Sequence, residues 1–346
     1  MQPLKFEREA IHRLPGILAE LFDDPESGQA LVPQGTGDGV DSFMDAGGRR
    51  WAIEAKTSSS PGTIASVAGH LQALADEDAI PVLVVPYMTP AGAKAAAARR
   101  INWIDLSGNA SLRDEGLYVW VQGQPNAFAT RGRPASPFAP KSSRVARTML
   151  LDPAHWWRQK DLAQHTDLDR GQVSRVVQRL SDDELLDRDA GQLRPRDPDL
   201  LLDAWADDYR FDRHDIVTGH VSGSGMELAR ELNEQLARAE TSHAFTGLPA
   251  AWALNPFARF RLVSVYVTGD PRAAADQVGL RRNERGANVQ IVGPDDRGVF
   301  DGQRDADGLP VVAPVQVYLD LQHLPERAAE AAEHLRGDAS LWEPRA

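Results

Sequence analysis

The chain contains no cysteine in 346 residues, which excludes disulfides, thiolate zinc sites and cysteine nucleophiles and leaves any metal to oxygen or imidazole ligands. No stretch approaches the ~18 consecutive apolar residues that a membrane span requires. The opening MQPLKFEREAIHRL carries charges where a secretory leader would be apolar, so a cytoplasmic protein without a membrane partner is expected. Histidines are scattered without HExxH spacing, and no GxSxG elbow occurs, so zinc-protease and serine-hydrolase chemistry are set aside. Basic charge is also scarce, with 38 Lys and Arg against 50 Asp and Glu and a net charge of -12. A protein coated everywhere for nucleic acid is thereby excluded, although a global sum conceals local patches.

What is present is globular: 42% of residues are hydrophobic and 25% charged, at a length that suits two or three domains. The Pro-, Gly-, Ala- and Ser-rich stretch from Gln122 to Ser143 has no helix or strand period and reads as a linker. Before it, apolar runs alternate: a helix over Lys5 to Phe22, strands at Ala30 to Val32, Val40 to Met44 and Trp51 to Ala55, and a helix at Thr63 to Ala75. There follow the buried-strand pattern IPVLVVPYM, the helical AGAKAAAARR, and strands at Trp103 to Asp105 and Tyr118 to Val121. Such alternation predicts an α/β sheet with covered faces. The last third mixes helices (Met226 to Glu240, Leu324 to Leu335) with strands (Phe260 to Thr268, Val289 to Val292) and is read as α+β.

The middle of this acidic chain is basic. Between Arg131 and Leu180 ten basic residues face four acidic ones. Val145, Met149 and Leu150 mark a first helix, and Gln159 to His165 a second. Thr166-Asp167-Leu168-Asp169 makes a turn with Asp169 as N-cap, and Arg170 to Leu180 forms a third helix that buries Val173, Val176, Val177 and Leu180. A two-stranded wing follows in LLDRDAGQLRPRD, turning at Ala190-Gly191. This is the spacing of a winged helix-turn-helix. Arg170, Gln172, Ser174, Arg175, Gln178 and Arg179 line the outward side of its third helix, where Arg and Gln suit guanine and adenine edges. Arg147, Lys160, Arg194 and Arg196 are candidate phosphate contacts. The bland alternative is a three-helix module for protein contacts with a solvated polar stripe.

In GVDSFMDAGGRRWAIEAKT, Asp41 stands on one strand and Glu54 and Lys56 on one face of the next, joined by a turn. Two carboxylates placed so would share a magnesium ion, with the lysine orienting water or stabilising charge. The region resembles the restriction-endonuclease-like PD-(D/E)xK superfamily at Asp41, Glu54 and Lys56, with a helix bearing His70 and Gln72 behind them. Val40 stands where that pattern has proline. The resemblance implies a metal-dependent phosphodiesterase or endonuclease with Asp41 and Glu54 as metal ligands. Retention of the fold as an inactive scaffold is the other reading. Asp105, Ser107, Gly108 and Asn109 of WIDLSGNA are read as a turn with Gly108 and Asn109 at positive φ. VSGSGMELAR around Gly223 lacks the lysine of a P-loop.

Taken in order, INWIDLSGNASL, the helix-turn-helix followed by DPDLLLDAWADDY, and PVQVYLDLQHLPERAAEAAEHL resemble the AbiEi family, antitoxins and transcriptional regulators of type IV toxin-antitoxin systems. The resemblance implies promoter binding and repression through Arg170, Gln172, Ser174, Arg175 and Arg179. The expected organisation is a restriction-endonuclease-like α/β domain at 1–125, a linker at 126–142, a winged helix-turn-helix at 143–210 and an α+β domain at 211–346. Expected partners are double-stranded DNA, a cognate toxin and, in a homodimer, a second copy of the chain. The only cofactor expected is Mg2+, on the nuclease reading.

Overall fold

The computed structural model describes residues 3–23, 29–31, 41–74, 79–128, 136–282, 286–338 and 341. Val32, Val40, Ala75 and linker residues 129–135, which fall within the expectations above, lie outside the described residues. The chain is mixed α/β and divides into two compact units: residues 1–135 with 179–187 and 199–207, and residues 136–178 with 188–198 and 208–346. Among the described residues no helix is long and apolar enough to cross a membrane.

The first unit is built on α1 (Pro3–Phe22), β1 (Gln29–Leu31), β2 (Ser42–Ala46), β3 (Arg49–Ala55), α2 (Pro61–Leu74), β4 (Ile80–Val85), α3 (Pro90–Ala98), β5 (Asn102–Asp105), β6 (Ala110–Asp114) and β7 (Leu117–Val121). The seven strands lie in sequence order in one sheet. β2 and β3 are antiparallel, β3, β4 and β5 are parallel with α2 and α3 as crossovers, and β6 and β7 complete an antiparallel edge. Alternation explains the layering. Val82 and Val84 join Trp51, Ile53 and the α1 stripe Phe6, Ala10, Leu14 and Leu18 on one side, whereas Leu83 and Val85 join Ile64, Leu71 and Trp103 on the other. A strand packed on both faces needs a continuous apolar run, and IPVLVV supplies it.

β6 was not anticipated. The LSGN turn joins it to β5, and only Gly108 there has positive φ, at +101°. Asn109 does not; its side chain instead donates to Asp105 Oδ2 at 2.8 Å and accepts from the Gln124 amide at 2.9 Å. Asp105 is fully buried and also accepts from the amides of Met88, Ser107 and Asn109, so its carboxylate serves the turn.

The chain continues through α4 (Ser143–Leu151), α5 (Gln159–Thr166), α6 (Arg170–Asp182), β8 (Leu186–Asp189), β9 (Gln192–Pro195) and α7 (Pro198–Asp208). Then come β10 (Asp215–His220), α8 (Gly225–Arg238), β11 (His243–Thr246), α9 (Gly247–Leu254), β12 (Val263–Val267), α10 (Pro271–Gln277), β13 (Arg281–Arg282), β14 (Val289–Gly293), β15 (Arg304–Ala306), β16 (Leu309–Val311), α11 (Pro314–Leu321) and α12 (Ala328–Arg336). Strands β10 to β16 form a second mixed sheet in the order β13-β10-β14-β12-β11-β16-β15, while β8 and β9 form a separate hairpin. β12 runs parallel to β14 and β11 parallel to β16, with antiparallel pairs elsewhere. Helices α9, α11 and α12 pack on one another.

Candidate nucleic-acid interface

The helices α4, α5 and α6 and the hairpin are fixed by local chemistry. α4 buries Val145, Ala146, Met149 and Leu150. In α5, Leu162 points inward and the Thr166 hydroxyl donates to the Leu162 carbonyl at 2.6 Å. The helix stops at Asp167, whose φ of 54° is left-handed and whose amide returns to the Ala163 carbonyl. Two residues on, Asp169 Oδ1 accepts from the Gln172 amide at 2.8 Å and Gln172 Oε1 accepts from the Asp169 amide at 3.4 Å. Reciprocal bonds of this kind satisfy two otherwise orphaned donors at the start of α6.

From that cap, Val173, Val176, Val177 and Leu180 turn inward, while Arg170, Ser174, Arg175 and Gln178 are exposed and Gln172 and Arg179 half-buried. Arg179 Nε lies 3.6 Å from Asp183 one turn later. Ala190 and Gly191, at φ 45° and 79°, make the tight turn between β8 and β9 that a twisted two-residue hairpin requires. Leu193 of β9 pairs with Trp157, which lies between α4 and α5, through amide-carbonyl bonds of 2.7 and 2.8 Å. Arg194 holds its guanidinium over the Trp156 ring at 4.5 Å. Arg196 on the hairpin side and Lys160 in the first turn of α5 are exposed. One expected phosphate contact is withdrawn: Arg147 is only 3% exposed, and a backbone phosphate has no path to it. Burial drives its pKa down, opposed by the nearby groups of Tyr209, Asp301, Tyr266 and Asp320.

Arg144, also counted only as charge in the sequence, acts as a staple. Its Nε and one terminal nitrogen grip Asp296 at 2.8 and 2.7 Å, and the other terminal nitrogen donates to the Thr166 carbonyl at 3.0 Å. The pair ties α4 and the end of α5 to the loop after β14. The hydrogen bond to Asp296 raises the Arg144 pKa against the burial that lowers it. Burial pushes the Asp296 carboxyl up, but the bonds from Arg144 and the Gly298 amide outweigh it and hold the group below its ordinary value.

In the first unit, the structure brings Asp41, Glu54 and Lys56 together. Asp41 sits at the bend before β2 rather than within a strand, and its Oδ2 accepts from the Ala55 amide at 2.7 Å. Glu54 is 7% exposed on the face covered by α2, with Lys56 Nζ at 2.5 Å from Oε1 and His70 Nε2 at 3.9 Å from Oε2. Burial lowers the Lys56 pKa, but the bond to Glu54 and the charges of Glu54, Asp41 and Glu184 raise it overall. Gln72 on the same helix is directed elsewhere, donating to the Arg99 carbonyl at 3.5 Å. Among the described residues no group of three or more His, Asp or Glu side chains is arranged to hold a metal.

A third cluster escaped the sequence reading. Asp320 of α11 is fully buried and accepts from Tyr209 Oη at 2.5 Å, Gln316 Nε2 at 2.7 Å, Tyr266 Oη at 3.1 Å and the Thr246 hydroxyl. His214 Nε2 stands 3.0 Å from both tyrosine hydroxyls. Burial raises the Asp320 pKa against the charge of His214 and its donors. The only advance signal was the spacing of Gln316 and Asp320 in PVQVYLDL, four residues apart and so one helical turn. With the Asp320 carboxylate engaged by four protein donors, this cluster is architectural.

The family described as transcriptional regulator, AbiEi antitoxin, type IV toxin-antitoxin system has a profile that matches residues 194–341. The match covers β9 onward, under half of the chain, and includes the Asp320 cluster but not α4 to α6. No curated protein and no solved structure matches this chain.

Proposed function

We propose that the chain is a sequence-specific duplex-DNA-binding regulator in which α4, α5, α6 and the β8-β9 hairpin form a winged helix-turn-helix. The observation that carries this reading is the exposure of Arg170, Ser174, Arg175 and Gln178 on a capped helix whose other side is buried. Seated in the major groove, α6 presents Arg170, Arg175 and Gln178 to base edges and Ser174 to the backbone. Gln172, whose carbonyl is engaged by the cap, keeps its amide donors for the first base. Lys160, Arg194 and Arg196 flank the helix at phosphate positions, and Arg179 takes one from the last turn of the helix. The family match at 194–341 supports an antitoxin that represses its own promoter and pairs with a toxin.

The test is a gel shift on DNA upstream of the chain's own reading frame. Arg175→Ala should weaken specific binding by about 1 to 3 kcal/mol, roughly 5- to 150-fold. Unchanged affinity removes Arg175 from the interface. Co-expression with the product of the adjacent gene tests the antitoxin role: growth arrest relieved by this chain supports it, and arrest unaffected removes it.

A second reading, magnesium-dependent cleavage in the first unit, is favoured by the convergence of Asp41, Glu54 and Lys56. Asp41 and Glu54 would hold the ion, which would activate water and stabilise the charge on the phosphate, and Lys56 would orient that water. Plasmid incubated with magnesium or manganese should be cut by the wild type and not by Asp41→Ala. Intact plasmid with both proteins leaves the unit as a scaffold.

A further inference from the structure

At the β7 edge of the first unit, two of the three large apolar side chains exposed among the described residues stand two positions apart: Tyr118 at 66% and Trp120 at 45%. Strand alternation puts both on one face of β7, while Leu117 and Val119 on the other face pack into the core. Cross-strand register sets Arg113 opposite Tyr118 and Ser111 opposite Trp120. The Arg113 guanidinium lies 5.2 Å from the Tyr118 ring centroid, over one of its faces. The Arg113 amide donates to Asn102 Oδ1 at 2.8 Å, which brings it near the start of β5, where exposed Arg100 immediately precedes Ile101. Neighbouring exposed aromatics on one strand face form an apolar patch, and Tyr and Trp are enriched at such interaction surfaces.

We propose that this face is a stacking platform for single-stranded nucleic acid, with unpaired bases on Tyr118 and Trp120 and the phosphates between them on Arg113 and Arg100. Three features select this occupant. Two residues of strand advance about 6.7 Å, close to twice the roughly 3.4 Å rise of stacked bases, so the backbone spacing of the two aromatics matches that of alternate bases in a stack. The guanidinium already seated on Tyr118 prolongs the stack and supplies a cation to the backbone. Arg113 and Arg100 are both exposed, and the acid between them in the chain, Asp105, is buried. The site shares no residue with α6 and does not depend on the duplex reading.

The test is anisotropy of a fluorescein-labelled oligothymidylate of roughly 20 nucleotides on the full-length chain. Wild type should bind saturably, and Tyr118→Ala with Trp120→Ala should weaken it about 30-fold, taking roughly 1 kcal/mol per ring. Trp120→Phe should retain most of the affinity, and Arg113→Gln should flatten its salt dependence. Duplex affinity and melting temperature should be unchanged in all three, which separates this claim from the one about α6. Absence of saturable binding by wild type, or equal binding by the double-alanine variant, overturns the proposal. So does a wild-type dimer in sedimentation that the double-alanine variant breaks, which would make the patch an interface between copies.

Discussion

Removing Arg144 should cost the second unit far more than an ordinary surface arginine would. The guanidinium and the Asp296 carboxylate are 7% and 9% exposed, so water replaces neither partner, and breaking a buried pair from one side costs about 3 to 5 kcal/mol. Arg144→Leu leaves the Asp296 carboxylate buried beside an unfilled Thr166 carbonyl; Asp296→Val leaves the guanidinium stranded. Combining the two removes both charges and leaves only the Thr166 carbonyl and the Gly298 amide without their side-chain partners, about 1 kcal/mol each. The double variant should therefore be more stable than either single one. Urea unfolding followed by tryptophan fluorescence reads this out, with Trp157 buried in the same unit. The melting temperature of each single variant should fall by roughly 6 to 20 °C. Single variants that lose under about 1 kcal/mol, or a double variant that loses the sum of both, would refute the reasoning.

Other outcomes follow from the same contacts. Because Asp296 is held below its ordinary value of 3.8, its contribution is present above that pH and lost as pH falls through its folded value. The stability gap between wild type and Asp296→Asn should then be constant near neutrality and close below about pH 3.8; a gap that widens in acid contradicts the sign. Asp169→Ala removes the cap at the start of α6 and should cost about 1 kcal/mol of stability, whereas Asp169→Ser should restore most of it in the same urea titration. A β-carbon at Gly62 would lie 2.6 Å from the carbonyl oxygens of Asp183 and Glu184. Gly62→Ala should thus destabilise the first unit by about 1 to 3 kcal/mol, and an unchanged melting temperature would show that this backbone yields freely.

The elements legible in the sequence were those whose signals are local. Period, cap and turn residues placed α5, α6, Asp169 and the Ala190-Gly191 turn within a residue or two, and two-residue alternation put Glu54 beside Lys56. What stayed hidden depends on partners far along the chain. Arg147 and Arg144 read as surface charge until Asp296, 152 positions from Arg144, and the loop around it covered them. β6 is short and partly polar, and it exists because β5 and β7 flank it. The Asp320 cluster draws its donors from β11, α11, β12 and the segment after α7, which no spacing rule connects. The tail of α6 is likewise fixed at a distance: Ser60 Oγ donates to the Asp183 carbonyl at 2.5 Å and Ser58 Oγ to Asp183 Oδ1 at 3.1 Å.

The claim that α6 reads duplex DNA is tested most directly by footprinting the wild type and an Arg170→Ala, Arg175→Ala variant on the region upstream of the reading frame. One discrete protected segment should appear with the wild type and vanish with the variant, while the variant keeps its fold. Equal protection by both proteins, or none with the wild type at any concentration below aggregation, would contradict it.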